Sequence, residues 1–178
     1  QFHDAYYQHR DFYKQAIELN PPHVTALVRT GLLHLKERDY EGAVEYLERA
    51  VERVAWDYVT PERADALYYL ALAYDELGRD KEAYDLLYKA TWDYNFHTAA
   101  HYKMAEMKSL KGDYDQALEH VKEAYATNTK SVNVLSLQAS LYRLTGQTDQ
   151  AKEVANRLIE IDPLNFRGYY ENYLLTGD

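Results

Sequence analysis

The chain has 178 residues, 47% hydrophobic and 28% charged, a balance that supports a buried core and excludes a disordered segment. Its longest apolar run, Ala66 to Tyr74, is far short of the ~18 residues a membrane span needs, so no membrane insertion is expected. Lys and Arg number 20 against 29 Asp and Glu, a net charge of −9 that argues against nucleic acid, and the absence of Cys removes disulfides, thiolate metal sites and Cys nucleophiles.

In chain order, residues 1–23 carry Tyr13, Ala16, Leu19 and Pro21 and read as the tail of a helical unit. Residues 24–63 form a first full unit, with Leu27, Gly31, Ala43, Leu47 and Ala50 at helical spacing around a turn at Arg38. Residues 64–97 repeat the pattern with Leu67, Leu70, Ala71 and Tyr74, then Ala83, Leu87 and Ala90. Residues 98–131 follow with Met104, Ala105, Ala117, Val121 and Ala124. Residues 132–165 add Leu135, Ala139, Tyr142, Ala151 and Pro163. Residues 166–178 begin another unit with Phe166, Tyr169 and Tyr170.

The period is explicit. Gly78, Gly112 and Gly146 recur every 34 residues, and Ala83, Ala117 and Ala151 keep that interval. A Gly just past a helix can take the left-handed conformation that ends it, and the Asp or Thr after it can cap the next helix. Each marker Ala is small where two helices must approach closely. Each unit is therefore helix, turn, helix. One pair cannot bury its apolar face alone, so the pairs are expected to stack into a single all-α array.

The unit at 24 is six residues longer than the others. Trp56-Asp57-Tyr58 recurs as Trp92-Asp93-Tyr94, at offsets of 6 from Ala50 and 2 from Ala90. Four extra residues then lengthen the second helix by about one turn. Two more widen a loop where Thr60 or Pro61 starts the next helix. Both Trp side chains are expected to close the apolar seam at inter-repeat corners, with an exposed aromatic edge for a ligand as the alternative.

These residues and their spacing resemble the tetratricopeptide repeat, a 34-residue helix pair. The resemblance covers nearly the whole chain. Departures include Thr30, His34, His101, Lys108 and Gln138, and Asn95 in place of Pro. It implies an α-solenoid, a right-handed superhelix of stacked antiparallel helix pairs, over residues 1–178 as one domain. It also implies a non-catalytic module that binds a protein or peptide on its concave face. A weaker resemblance, carried by Ala90 to Tyr94 and Ala99 to Tyr102, is to the repeat region of bacterial proteins with a carbohydrate-enzyme-like β-sandwich domain. That likeness makes the chain a structural arm of a larger, carbohydrate-acting protein, packed on another domain of its own parent. The start at Gln1 fits such a fragment, and a cytoplasmic location is the expectation.

The family's groove positions fall here on Val28, Leu32 and Leu35, then on Asp65, Tyr68, Leu72 and Asp75. They continue at Tyr102 and Glu106, at Arg143, and at Tyr170. Tyr68, Tyr102 and Tyr170 hold equivalent places, and Tyr gives contact area with few rotors. Chaperone adaptors of this family grip a peptide's terminal carboxylates with Lys, Asn and Arg. The matching places hold Val28, Leu32, Tyr68, Leu72, Ala99 and Lys103, so that clamp is absent.

No catalytic set is visible, neither a phosphate loop nor a nucleophile elbow. Asp75 and Glu76 are expected to be solvated, and Asp113 and Asp115 to flank a turn. His97 and His101 stand four apart on one helix face, but no third ligand has a motif-like spacing, so neither metal nor cofactor is expected. Incomplete end units expose apolar faces and suggest self-association.

Overall fold

The computed structural model describes residues 2–21, 23–57 and 64–177, with the side chains of 2–9 and 55–57 outside that description. The helix start expected at Thr60 or Pro61, and the Trp56 side chain, thus lie outside the described residues. The described residues form α1 (Phe2–Leu19), α2 (Val24–Lys36), α3 (Tyr40–Asp57), α4 (Ala64–Glu76), α5 (Asp80–Ala90), α6 (Tyr94–Leu110), α7 (Tyr114–Thr127), α8 (Val132–Leu144), α9 (Thr148–Ile161) and α10 (Phe166–Thr176). The fold is all-α, a helical-repeat solenoid of helix pairs. No helix among the described residues is long and apolar enough to cross a membrane.

Four turns share one construction. Gly78, Gly112 and Gly146 take φ values of 72°, 75° and 75°. The next residue's N–H then reaches back to a carbonyl in the last turn of the preceding helix: Arg79 to Tyr74 at 2.8 Å, Asp113 to Lys108 at 3.0 Å and Gln147 to Tyr142 at 2.8 Å. This closure satisfies carbonyls the helix end would leave unpaired. Arg38 occupies the same slot in the first unit with φ 61°, and Asp39 donates its N–H to His34 at 2.9 Å. A side chain at positive φ is strained, so the turn forms here against the local preference of its own residue.

Capping after the turns is uneven. Asp113 accepts from the Gln116 N–H at 3.4 Å, as the spacing predicts. Thr148 lies inside α9 and the cap position belongs to Gln147, which makes no side-chain cap bond. At α5 the cap position holds Arg79, whose guanidinium instead grips Glu82 at 2.8 Å.

The contacts cluster into two compact units, Gln1–Phe96 and His97–Asp178. In the first, α2 packs on α3 and α4 on α5, with α3 against α4 and α1 against α2. Ala43, Leu47, Ala83, Leu87 and Ala90 are fully buried along these seams. Gly31 faces Leu47 so closely that an added Cβ would lie 2.5 Å from its Cγ, which explains a residue without a side chain in mid-helix. In the second unit α8 packs on α7, α9 and α10. Ala105, Ala117, Val121, Ala124, Val134 and Leu141 form its core, with Tyr102, Tyr114 and Tyr142 packed on the edge.

The Trp-Asp-Tyr echo is not a structural one. Trp56 and Asp57 belong to α3, whereas Trp92 and Asp93 form the turn between α5 and α6. The helix α3 has 18 residues against 14 in both α7 and α9, the four extra residues expected, while α5 has only 11. Trp92 closes no seam: it is 64% exposed, because the buried Ala90 ends the packed part of α5 two residues earlier. Tyr169, a repeat position of the last unit, is also exposed.

Candidate functional site

In the first unit, Val28 and Leu32 lie one helical turn apart on α2 and face the start of α4. With Arg29, Ala64, Asp65, Tyr69, Asp93 and Phe96 they line a cavity of about 310 Å3. Val28 is buried and forms apolar lining, while Leu32 is half-buried. Tyr68 packs its ring on Phe96 with centroids 5.4 Å apart and meets Tyr69 edge-on at 5.5 Å. Tyr69 and Phe96 approach edge-on at 6.2 Å. The result is a pocket with aliphatic and aromatic lining and three charged residues.

Two of those charged groups are held locally. The Asp65 carboxylate accepts from the Ala66 N–H at 3.0 Å, and Asp93 accepts from the Asn95 N–H at 2.9 Å. Leu35, Leu72 and Asp75 are half-buried and lie outside the lining of this cavity. Tyr69 and Phe96 escaped the sequence reading. The residue one period after Phe96 is Lys130, so no repeat marks the position.

In the second unit, three of the positions expected to line a groove have partners. Tyr102 rests on the core edge, and Glu106 pairs with Lys103 at 3.8 Å. Arg143 donates its Nε–H to Glu171 at 2.7 Å. Ser140 donates to the other oxygen of that carboxylate, also at 2.7 Å. Glu171 is only 5% exposed, so Arg143 serves a buried carboxylate of α10 and its charge is largely neutralised. Tyr170 stands exposed beside it in sequence.

A second cluster joins α6 and α7. The rings of His97 and His101 lie 4.5 Å apart, one turn along α6. The Nδ1 atoms of His101 and His120 are 3.1 Å apart, and His97 Nδ1 is 3.3 Å from Thr127 Oγ1. Burial, followed by the neighbouring His97 and His120, pushes the His101 imidazole down to about 4, so it stays neutral at ordinary pH. Ligand atoms of His97, His101 and Glu123 lie within 4.8 Å of one another. The sequence expectation of no metal rested on the lack of a third ligand at motif spacing. Packing of α7 on α6 supplies Glu123 instead, and His97 sits inside α6 because that helix starts at Tyr94.

Comparison with known proteins bears on the fold. A family model described as Tetratricopeptide repeat matches residues 9–58 and 28–95, and another of the same description matches residues 110–170. The Hsp70-Hsp90 organizing protein of Triticum aestivum is 24% identical over 205 residues, covering 93% of this chain and 35% of its own length. The chain thus spans about a third of that relative. Among solved structures, the C-terminal part of a TPR repeat-containing protein from Cytophaga hutchinsonii superposes with a TM-score of 0.83 at 13% identity, covering 98% of this chain and 67% of that one. YrrB, described as a TPR protein with an unusual peptide-binding site, gives 0.72 at 20% identity, covering 95% and 84%. A tetratricopeptide repeat protein from Parabacteroides merdae gives 0.73 at 20% identity, covering 94% and 66%. Proteins built of these repeats are protein-interaction modules, generally without catalysis of their own. With the repeat pattern matched over most of its length, the chain belongs to the tetratricopeptide repeat family.

Proposed function

We propose that this protein is a non-catalytic interaction module that holds a peptide segment, or an extended stretch of a neighbouring domain, against its first-helix faces. The cavity beside Val28, Leu32, Tyr69 and Phe96 carries this reading. Its volume, about 310 Å3, is at the low end of the range for ligand pockets, which suits one apolar or aromatic side chain of a peptide rather than a large cofactor. Arg29, Asp65 and Asp93 offer polar groups for the peptide flanks. Tyr68 backs the aromatic wall through Phe96. The second unit has its own contact positions, Tyr102, Glu106 and Tyr170, while Arg143 contributes less because Glu171 already holds it.

The Triticum aestivum relative is named for organising Hsp70 and Hsp90. A chaperone tail is not the ligand proposed here. The places where a carboxylate clamp would stand hold Val28, Leu32, Tyr68, Leu72, Ala99 and Lys103, and Lys103 is ion-paired with Glu106.

The test is selection of binders from a displayed library of random peptides, followed by affinity measurement on variants. Leu32→Arg places a charged chain in the cavity and should weaken the selected peptides at least tenfold, as expected for a residue at the centre of an interface. Circular dichroism should show helicity unchanged. Selected peptides that bind the variant as tightly as the native chain would remove the cavity from the interface.

A further inference from the structure

We propose that His97, His101 and Glu123 form a binding site for one divalent transition-metal ion of the zinc class. The three donors come from adjacent helices. His97 and His101 share one face of α6, and Glu123 projects from α7. Their ligand atoms already lie within 4.8 Å of one another. Metal–ligand bonds of about 2.0–2.2 Å place ligand atoms somewhat nearer than that, so small side-chain rotations would complete the set.

The residue types select the ion. Two imidazoles and one carboxylate suit zinc, cobalt or nickel, whereas magnesium and calcium prefer all-oxygen sites. Three protein ligands leave at least one coordination position for water, and Glu123 opens the site to solvent.

The surroundings support the ligands as second-sphere groups do in built sites. His101 is held at Nδ1 by His120, 3.1 Å away. His97 is held at Nδ1 by Thr127, 3.3 Å away. Thr127 is itself fixed, 2.7 Å from the Thr98 hydroxyl and 3.2 Å from the Ala124 carbonyl to which it donates. Each ring is thus oriented through one nitrogen and has the other to offer, an arrangement that outer-shell partners commonly impose on metal-ligating His. The Lys108 ammonium acts on His120, but it is also paired with Asp113 at 4.0 Å, which reduces its opposition to a cation. The ion would join α6 to α7 within the second unit.

The experiment is titration of chelator-treated, untagged protein with zinc chloride by calorimetry, and with cobalt chloride by visible absorption. The expected result is one ion per chain. His97→Ala and Glu123→Gln, at half-buried and exposed positions that should leave the helices intact, are each expected to weaken zinc at least tenfold. Magnesium chloride should give no binding heat. Two results would each overturn the proposal: no saturable zinc binding below about 100 μM, a weak limit for a three-ligand site, or zinc binding of equal strength in the native chain and both variants. The second result would place the ion on other His residues.

Discussion

Arg143 on α8 and Glu171 on α10 form a 2.7 Å charge-assisted hydrogen bond across 28 residues, and Ser140 supplies the carboxylate's other donor. The Glu171 side chain is almost fully buried, and these two neighbours supply a hydrogen bond to each of its carboxylate oxygens. Removing one partner of a buried pair costs more than removing both, because the survivor is left charged and unsatisfied.

Arg143→Ala should therefore destabilise the fold by about 2 kcal/mol, less than for a fully enclosed pair because Arg143 is partly exposed. The double variant Arg143→Leu with Glu171→Leu should recover at least half of that loss. Urea unfolding of the three chains provides the measurement. Equal losses in single and double variants would show that the pair does not act as a unit.

Arg38 holds φ 61° at the turn where the later units use Gly. A side chain in the left-handed region costs about 1 kcal/mol, part of which Gly returns through greater freedom of the unfolded chain. Arg38→Gly should raise stability by a few tenths to about 1 kcal/mol, and Gly112→Ala should lower it by about 1 kcal/mol. Thermal melts read both signs, and a destabilising Arg38→Gly would contradict the strain argument.

Thr30 is buried on α2, and its hydroxyl has no hydrogen-bond partner among the described residues. A buried unsatisfied hydroxyl costs about 1–3 kcal/mol, and Val has nearly the same shape. Thr30→Val should be stabilising by about 1 kcal/mol in denaturant unfolding. A loss of stability would point to a bound water at that hydroxyl.

The Tyr74 hydroxyl donates to Glu48 at 2.5 Å, and the Arg79 guanidinium lies over its ring, 3.7 Å from the centroid. Burial, and then the Glu48 carboxylate, push the phenol up to about 12 from its ordinary 10.0. The folded value is raised, so the stabilisation is complete below pH 10 and is lost as pH rises from 10 towards 12. Tyr74→Phe should cost about 1 kcal/mol at neutral pH. It should also remove one residue's share of the alkaline destabilisation. Identical slopes of stability against pH in the native and variant chains would refute the assignment.

The repeat was legible because its signals are local. The 34-residue spacing of Gly78, Gly112 and Gly146 marks turns that the backbone φ values bear out, and Arg38 was recognisable as a substitute by register alone. The buried Ala83, Ala117 and Ala151 likewise followed from the need for close helix approach. The Trp-Asp-Tyr echo misled for the same reason. Identical triplets carry no information about whether a helix has already ended, and that depends on what α3 and α5 each pack against.

The candidate sites were only half visible. Val28 and Leu32 could be placed by register, but Tyr69 and Phe96 complete the pocket from places outside the period. Register placed Arg143 at a groove position but gave no sign of its partner Glu171. His97 and His101 were an evident pair, yet Glu123 joins them from 22 residues beyond His101. Spacing along a chain reports which side chains share a helix face, since 3.6 residues make a turn. It does not report which faces meet, because that is set by side-chain volumes along the whole seam between two helices. The period therefore dictated the helix pairs and their turns, while packing between helices chose the partners of Arg143, the wall of the cavity and the third donor beside His97 and His101.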